Sequence, residues 1–436
     1  MATRHDRQAF AAGMLLGITL TGLGVVLAQA VFGPVLARSL ASTEQQILSN
    51  VHDRLVEDYV VPLDREALMR AGVRAMIDAL GDDYSSFVGP EEVATYREES
   101  SGSLIGIGAI ITDGARIRNP WPGGPAERAG LLPGDTLLAI DGQSTEGLAV
   151  DEVVDLIKGP EKTSVHLQVR RHSDDQLVDF EIPRESVPTG TVGRVEMLDP
   201  ATGLGRIHIR SFARSTAAEL DASLDKLLAQ GMRGLVLDLR FNRGGLLDSA
   251  VDCAARFVEG GIICTLEGRG EAHKVRKADR SDFRDLGLPI VVLLNEHSAS
   301  GSEVLAAALR DRGVAVIAGA RSFGKGVYQQ VQRYEDGQFV IKFTAGYYVT
   351  PAGRIIEGHL NSDFTGGIEP DLPVGPASPS ESRAIYIALQ QDEIPEPYRE
   401  LAISIWQSLT DYPMNPVDPA TELALEALRA SLSPIG

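Results

Sequence analysis

The period of the apolar residues changes several times along the chain, and each change predicts a different kind of element. In "EQQILSNVHDRLVEDYV", Ile47, Val51, Leu55 and Val56 fall on one helical face, and "REALMRAGVRAMIDAL" repeats that spacing until Gly81 stops it. A Gly/Ser break, "EESSGSLIGIG", then opens a segment of short β-like runs ("IGAIIT", "TLLAIDG", "SVHLQVRR") separated by turn signals. One helical stretch, "LAVDEVVDLIKG", interrupts them, and the segment is expected to end near Arg171. After a polar connection the pattern changes again from Gly205. "GRIHIRSF", "RGLVLDLR", "LPIVVLLN" and "VAVIAG" are near-continuous apolar runs, which predict strands covered on both faces, alternating with amphipathic helices. A helical tail ("SRAIYIALQ", "TELALEALRASL") follows the Pro-rich joint "EPDLPVGPASPSES", and no internal repeat is visible.

The N-terminus has a different character. Arg4 and Arg7 precede an uncharged stretch, Gln8 to Ala37, rich in Leu, Ala, Val and Gly. That length can cross a bilayer core, which needs about 20 apolar residues. "AQA" at Ala28–Ala30 resembles a signal cleavage site, but the long apolar region favours an uncleaved signal-anchor over a cleaved signal. The flanking basic residues place the N-terminus in the cytoplasm and the rest of the chain on the extracytoplasmic side. Over 436 residues, 44% hydrophobic and 23% charged describe two or three ordinary globular domains. A formal charge of −19 argues against a nucleic-acid partner, since there is no basic excess to displace counterions from phosphates. Cys253 and Cys264, the only cysteines, are too few for a disulfide framework or zinc cluster and read as core residues.

Candidate chemistry begins at "GARSFGKGVYQQ", Gly319 to Gln330, which holds most of a phosphate-binding loop. Gly326 stands where that loop needs Ser or Thr, and the following residues alternate and turn at Asp336-Gly337 instead of starting a helix. The nucleotide reading fails. Lys325 can instead serve as a general base, if burial lowers its pKa enough to leave it neutral. A nucleophile is available in "LLNEHSASGSEVLAAALRD", where an apolar strand ends at Asn295 and a helix begins near Ser302, with Val304, Leu305, Ala308 and Leu309 on one face. A serine at such a turn meets substrate, and N–H groups at the helix start can hold an oxyanion. Ser300 through Glu303 also fits a capping box, in which Ser300 merely caps the helix. His297 is three residues away, but no Gly-x-Ser-x-Gly elbow accompanies it.

"GIGAIITDG", "NPWPGGPAERAGLLPGDTLLAIDG" and "LIKGPEKTSVHLQVRR" together resemble a PDZ domain, which captures an extended peptide by adding it to a sheet edge. The loop taking the terminal carboxylate would be Ile105, Gly106, Ile107, Gly108 and Ala109. Further motifs, "VLDLRFNRGGLLDSA", "VVLLNEHSASGSEVLAAALRDRGVAVIAG", "SFGKGVYQ", "GYYVTPAGRIIEG" and "GGIEPD", occur in the order seen in the C-terminal processing peptidases, the tail-specific serine proteases with an embedded PDZ domain. "LGDDYSSFVGPEE" resembles their N-terminal helical region.

That resemblance implies an α/β fold, a ClpP/crotonase-like β-spiral core with an inserted PDZ domain, flanked by helical regions and preceded by a transmembrane segment. The implied division is 1–8 cytoplasmic, 9–37 transmembrane, 41–100 N-terminal helical, 101–172 PDZ, 173–375 protease core and 376–436 C-terminal helical. It implies Ser300 as nucleophile, Lys325 as general base and Gln329 as the residue orienting the lysine. The alternation of a strand would set Lys325 and Gln329 on one face. Gly301 and one of Gly244 and Gly245 would supply the oxyanion N–H groups, with Gly245 nearer the following apolar run. No metal or cofactor is implied. Expected partners are protein substrates held by their C-terminal tails, with a homo-oligomer and an adaptor protein as further partners of the kind. The expected location is a bacterial envelope, anchored in the inner membrane with the catalytic part in the periplasm, or secreted to the periplasm if the signal is cleaved. In one departure, Asn242-Arg243-Gly244-Gly245 carries arginine where the family commonly has proline, so the loop loses a φ-locking residue and gains a charge. In another, Gly301 replaces a common alanine but keeps its N–H. The rival reading is a PDZ-based binding or chaperone protein with an inactive core, for which Arg243 is the only support. Asp238 with Arg240 reads as a structural ion pair, and Tyr347 and Tyr348 as strand core or cleft wall.

Overall fold

The computed structural model describes residues 43–93, 96, 103–121, 123–188, 190–269, 273–334, 338–360, 365–375, 377–390 and 416–433. The expected membrane-crossing stretch, 9–37, lies outside these, as does the Asp336-Gly337 turn. Among the described residues no helix is long and apolar enough to cross a membrane. The chain divides into two compact units, Met1–Gly81 and Asp82–Gly436.

In the first unit, α1 (Thr43–Asp58) packs against α2 (Arg65–Asp78). Asp64 caps α2 by accepting the Glu66 and Ala67 N–H groups, and Arg65 reaches back to Asp53 at 2.7 Å. Neither helix buries a residue, so the apolar stripe of α1 (Ile47, Val51, Leu55) is not consumed by their mutual packing.

The second unit opens with β1 (Ser86–Val88), followed by the segment read as a PDZ domain. There, β2 (Ser103–Gly106) leads to β3 (Ala109–Thr112), β4 (Arg116–Pro120), α3 (Pro125–Ala129), β5 (Thr136–Ile140), β6 (Gln143–Ser144), α4 (Val150–Ile157), β7 (Ser164–Arg170) and β8 (Leu177–Pro183). The sheet order is β3-β4-β5-β7-β8, with β6 on β5, and its core gathers Ile117, Leu137, Ile140, Val165, Leu167, Val169 and Ile182. The sheet runs on past residue 172 through β8. Along β8 only Ile182 is fully buried, so the strand looks like a polar connection, yet it pairs with all of β7. β9 (Glu185–Pro188) then returns to pair with β2.

Beyond it come β10 (Val192–Asp199), β11 (Leu204–Ile209), α5 (Thr216–Ala229), β12 (Gly234–Asp238), α6 (Leu247–Ala255), β13 (Gly261–Gly268), β14 (His273–Ala278), β15 (Ile290–Leu294) and α7 (Gly301–Asp311). These are followed by β16 (Ala315–Gly319), β17 (Val327–Tyr334), β18 (Phe339–Val349), β19 (Leu372–Pro373), α8 (Pro379–Leu389) and α9 (Pro419–Leu432). One sheet runs β10-β11-β12-β15-β16-β19, parallel except for β10 on β11. Its apolar runs are covered on both faces, as expected. Leu235, Leu237, Val292 and Ile317 face the core shared with α5, α6 and α7, while Val236, Val291 and Leu293 face Ala424, Leu425 and Leu428 of α9. The second sheet, β1-β18-β13-β14 with β17 on β18, is antiparallel. Cys253 and Cys264 are free and buried in the larger core, where desolvation pushes both thiols up to about 12.

Candidate active site

β15 ends at Leu294, and the chain reaches α7 through a turn closed by Ser298, whose hydroxyl accepts the Asn295 N–H and donates to the Leu239 carbonyl. Ser300 is the residue before α7. It is buried and holds φ 55° and ψ −114°, a conformation that non-glycine residues rarely adopt. The capping-box expectation is half met. Glu303 accepts the Ser300 N–H at 2.7 Å, but the Ser300 hydroxyl makes no capping bond to the helix. Instead it lies beside the phenol of buried Tyr348, whose pKa desolvation raises and the serine hydroxyl pulls the other way.

The glycine pair after β12 closes against this serine. A β-carbon at Gly244 would stand 2.8 Å from Ser300 Cβ and 3.0 Å from Gly301 N, and one at Gly245 would run into the Phe212 carbonyl. Both have positive φ, 103° and 145°, so only glycine fits. Asn242 fixes the loop. Its Nδ2 donates to the Ile209 carbonyl, its Oδ1 accepts the Gly244 N–H at 2.8 Å, and its carbonyl accepts the Ala299 N–H and the Ser302 hydroxyl. The Gly244 N–H is therefore engaged. Among the described residues the N–H groups of Gly245 and Gly301 have no acceptor.

Lys325 reaches the same place from another segment. The fully buried Glu303 carboxylate accepts from Ser300 N–H and Lys325 N–H on Oε2, and from the Ser322 hydroxyl and Gly324 N–H on Oε1. Desolvation pushes its pKa up to about 7 against those four donors. One carboxylate oxygen thus ties the backbones of Ser300 and Lys325 together. The half-buried lysine amine lies 4.6 Å from the Tyr84 ring centroid. Desolvation lowers its pKa, with Lys342 adding repulsion, while Asp82, Glu357 and Glu303 act in the opposite direction.

The expected contact between Lys325 and Gln329 is not made. The Gln329 amide nitrogen is buried without a partner. β17 begins only at Val327 and is irregular between Tyr328 and Gln329, so strand alternation does not carry from the lysine to the glutamine. His297 stacks on Phe241 at 5.4 Å. Asp238 and Arg240 form the expected buried ion pair, at 2.6 Å. In the PDZ-like segment, β3 ends its sheet beside α4, and among the described residues no strand pairs with its outer edge. Ile105 and Gly106 end β2, Ala109 starts β3, and the N–H groups of Ile107 and Gly108 between them have no acceptor among the described residues. Sequence reasoning missed Glu303 as a link between loops, and missed Tyr84 and Asn242, while Tyr348 lies in the strand core as expected. For Glu303 the capping-box spacing was the available signal.

The model of peptidase family S41 matches residues 203–374, and that of the PDZ domain matches 116–171. A "Probable CtpA-like serine protease" of Staphylococcus aureus is 34% identical over 83% of this chain and 71% of its own. The carboxy-terminal processing protease CtpA of Bacillus subtilis is 35% identical over 71% of this chain and 66% of its own. Among solved structures, the photosystem II D1 C-terminal processing protease is 31% identical, covering 79% of this chain and 91% of its own, with a TM-score of 0.44. The protein is a serine-type peptidase with a PDZ domain. It belongs to peptidase family S41, the C-terminal processing serine proteases.

Proposed function

We propose that this peptidase cleaves protein substrates near their C-termini with Ser300 as nucleophile and Lys325 as general base. The carrying observation is that Glu303 Oε2 joins the Ser300 and Lys325 backbones, while the serine hydroxyl is not used for capping. In the resting arrangement the lysine amine rests over Tyr84. In the working one it turns to the Ser300 hydroxyl, accepts its proton as Oγ bonds to the substrate carbonyl carbon, and passes that proton to the leaving amine as the C–N bond breaks. Water then attacks the acyl carbon and gives a proton to the same amine, which returns it to Ser300 Oγ as the C–Oγ bond breaks and the new carboxyl end leaves. The oxyanion is held by Gly301 and Gly245, since the Gly244 N–H is occupied by Asn242. Each such donor contributes about 10²–10³ in kcat in other proteases. Gln329, with its unpartnered amide, orients the amine once it turns.

The PDZ domain takes the substrate tail along β3, with the terminal carboxylate at the Ile107 and Gly108 N–H groups, and so controls delivery to the site. The stretch 9–37 anchors the protein in the inner membrane and sets the catalytic part in the periplasm. Self-association and an adaptor rest on family likeness alone. The test is labelling by a fluorophosphonate probe together with cleavage of a C-terminally tagged protein. Ser300→Ala should abolish both and Lys325→Ala should reduce both at least a thousandfold in a folded chain; full activity in either variant overturns the dyad.

A further inference from the structure

Tyr84 sits in a turn, just before β1, that is fastened to β18. Asp82 accepts the Tyr84 N–H at 2.9 Å and the Ser85 hydroxyl at 2.5 Å, and the Ser85 oxygen accepts the Thr344 N–H of β18 at 3.0 Å. From Ser86 the chain continues antiparallel to β18, with Ser86 opposite Lys342 and Phe87 opposite Ile341. On its other side Thr344 stands opposite Gln329 of β17, so the turn is tied to the strand pair that follows the catalytic lysine. The half-buried Tyr84 ring meets the half-buried Lys325 amine, 4.6 Å from its centroid. The carboxylates that draw on this amine are committed to other donors. Glu303 receives Ser300, Ser322, Gly324 and Lys325 N–H or O–H groups; Glu357 receives the Gly326, His359 and Leu360 N–H groups; Asp82 receives Tyr84 and Ser85. Lys342, on β18, repels the amine.

We infer that Tyr84 is a positioning residue for the general base, its ring holding the Lys325 amine as a cation until the amine turns to Ser300. The role presupposes Lys325 as that base. A ring face attracts a cation through its quadrupole and has little hold on a neutral amine. The phenol itself stays neutral: desolvation, with Glu357, Glu303, Asp82 and Asp83 facing it, pushes it up to about 12, so the amine meets a π face and not a phenolate. The ring therefore favours the charged form, in the direction opposite to desolvation and Lys342. Only the neutral amine can take the Ser300 proton, so Tyr84 withholds the base at pH values below the amine's midpoint and releases it above.

Tyr84→Phe keeps the ring, whereas Tyr84→Leu and Tyr84→Met remove it and leave an apolar side chain in its place; circular dichroism verifies the fold of each. The amine is titrated directly by competitive acetylation across pH in the Ser300→Ala chain, read by mass spectrometry of the peptide that contains Lys325. Its action is read from the pH dependence of fluorophosphonate labelling with Ser300 intact. Both midpoints should fall by about half a unit to one unit in the two ringless variants and stay in place in Tyr84→Phe. Below the midpoint the ringless variants should label about three- to tenfold faster than the parent, as such a shift requires. An acetylation midpoint that the ringless variants leave in place or raise, or that Tyr84→Phe lowers as far as they do, overturns the role of the ring. Slower labelling at every pH with an unmoved midpoint would mark a merely structural support and overturns it as well. The base assignment fails separately, if Lys325→Arg keeps the parent's pH limb in labelling, while the acetylation contrast still reports on the ring.

Discussion

Ser300 combines a nucleophile with a backbone that glycine would adopt more easily. At φ 55° it is held in a region that costs a non-glycine residue about 1–3 kcal/mol, and the Glu303 carboxylate on its N–H is part of what holds it there. Ser300→Gly should therefore raise stability by about 1 kcal/mol, read from urea denaturation midpoints, while cleavage disappears. A midpoint lower than the parent's would show that the serine is not strained. Lys325 gives a second test at this scale. Only the neutral amine can accept a proton, and desolvation with Lys342 repulsion lowers its pKa from the ordinary 10.5. The rate of probe labelling should rise with pH along a limb whose midpoint lies below that value. Lys325→Arg stays charged and should show no such limb.

Among the elements, the site depends on three loops that approach too closely for side chains. The turn before β17 is the clearest case, because a β-carbon at Gly326 would collide with the Glu357 backbone. Gly326 also donates its N–H to the Glu357 carboxylate at 2.9 Å. Gly326→Ala must displace the start of β17 and Lys325 with it. A displacement near 1 Å can cost about a hundredfold in rate, so kcat/KM on a tagged substrate should fall by that order while the circular dichroism spectrum is kept. An unchanged kcat/KM would mean that the turn absorbs the methyl elsewhere. The same loops show what a sequence can reveal. β11, β12, β15 and β16 were legible because burial on both faces leaves almost uninterrupted apolar runs. β8 was not, because its inward residues Val178, Phe180 and Ile182 alternate with exposed Asp179 and Glu181 over too short a run, following a polar turn, to stand out as a strand. Ser300 and Lys325 were legible as residue types at a helix start and in a glycine turn. Glu303 was read only as a cap partner, a role that its bond from the Ser300 N–H bears out. Only the fold shows that it also receives Ser322, Gly324 and Lys325 from a segment some twenty residues away.

At the scale of the molecule, the C-terminal helix reaches back to the catalytic loops through one buried arginine. Arg240 follows β12, pairs with Asp238 at 2.6 Å, and is met from the start of α9 by Asp418 at 2.7 Å and by the Thr421 hydroxyl at 3.3 Å. Two residues later Asn242 holds the Gly244 N–H, so the cap of α9 supports the loop that borders Ser300. Arg240 lowers the Asp418 pKa to about 2, although burial opposes it. The sign follows from that shift. The unfolded chain, near 3.8, binds the proton first, so the stability from Asp418 is complete above 3.8 and is lost as pH falls through about 2. Buried His208, which contacts the Leu389 and Arg240 carbonyls, acts in the same direction over a higher window. Desolvation lowers it from 6.5 to about 4, so it favours folding above 6.5 and loses that contribution as pH falls through 4. Glu303, raised from 4.5 to about 7, has the opposite sign, and its contribution declines as pH rises across that interval. Asp418→Asn isolates the arginine. At neutral pH it leaves Arg240 with one of its two carboxylates and should cost about 3 kcal/mol in urea denaturation. The deficit should shrink between pH 3.8 and 2, where the parent's own carboxylate becomes protonated. Because Asn242 stands downstream of this clamp, kcat should fall further than KM rises on a tagged substrate. A deficit independent of pH would instead mean that the helix is held by packing against Val236, Val291 and Leu293, with the ion pair a passenger.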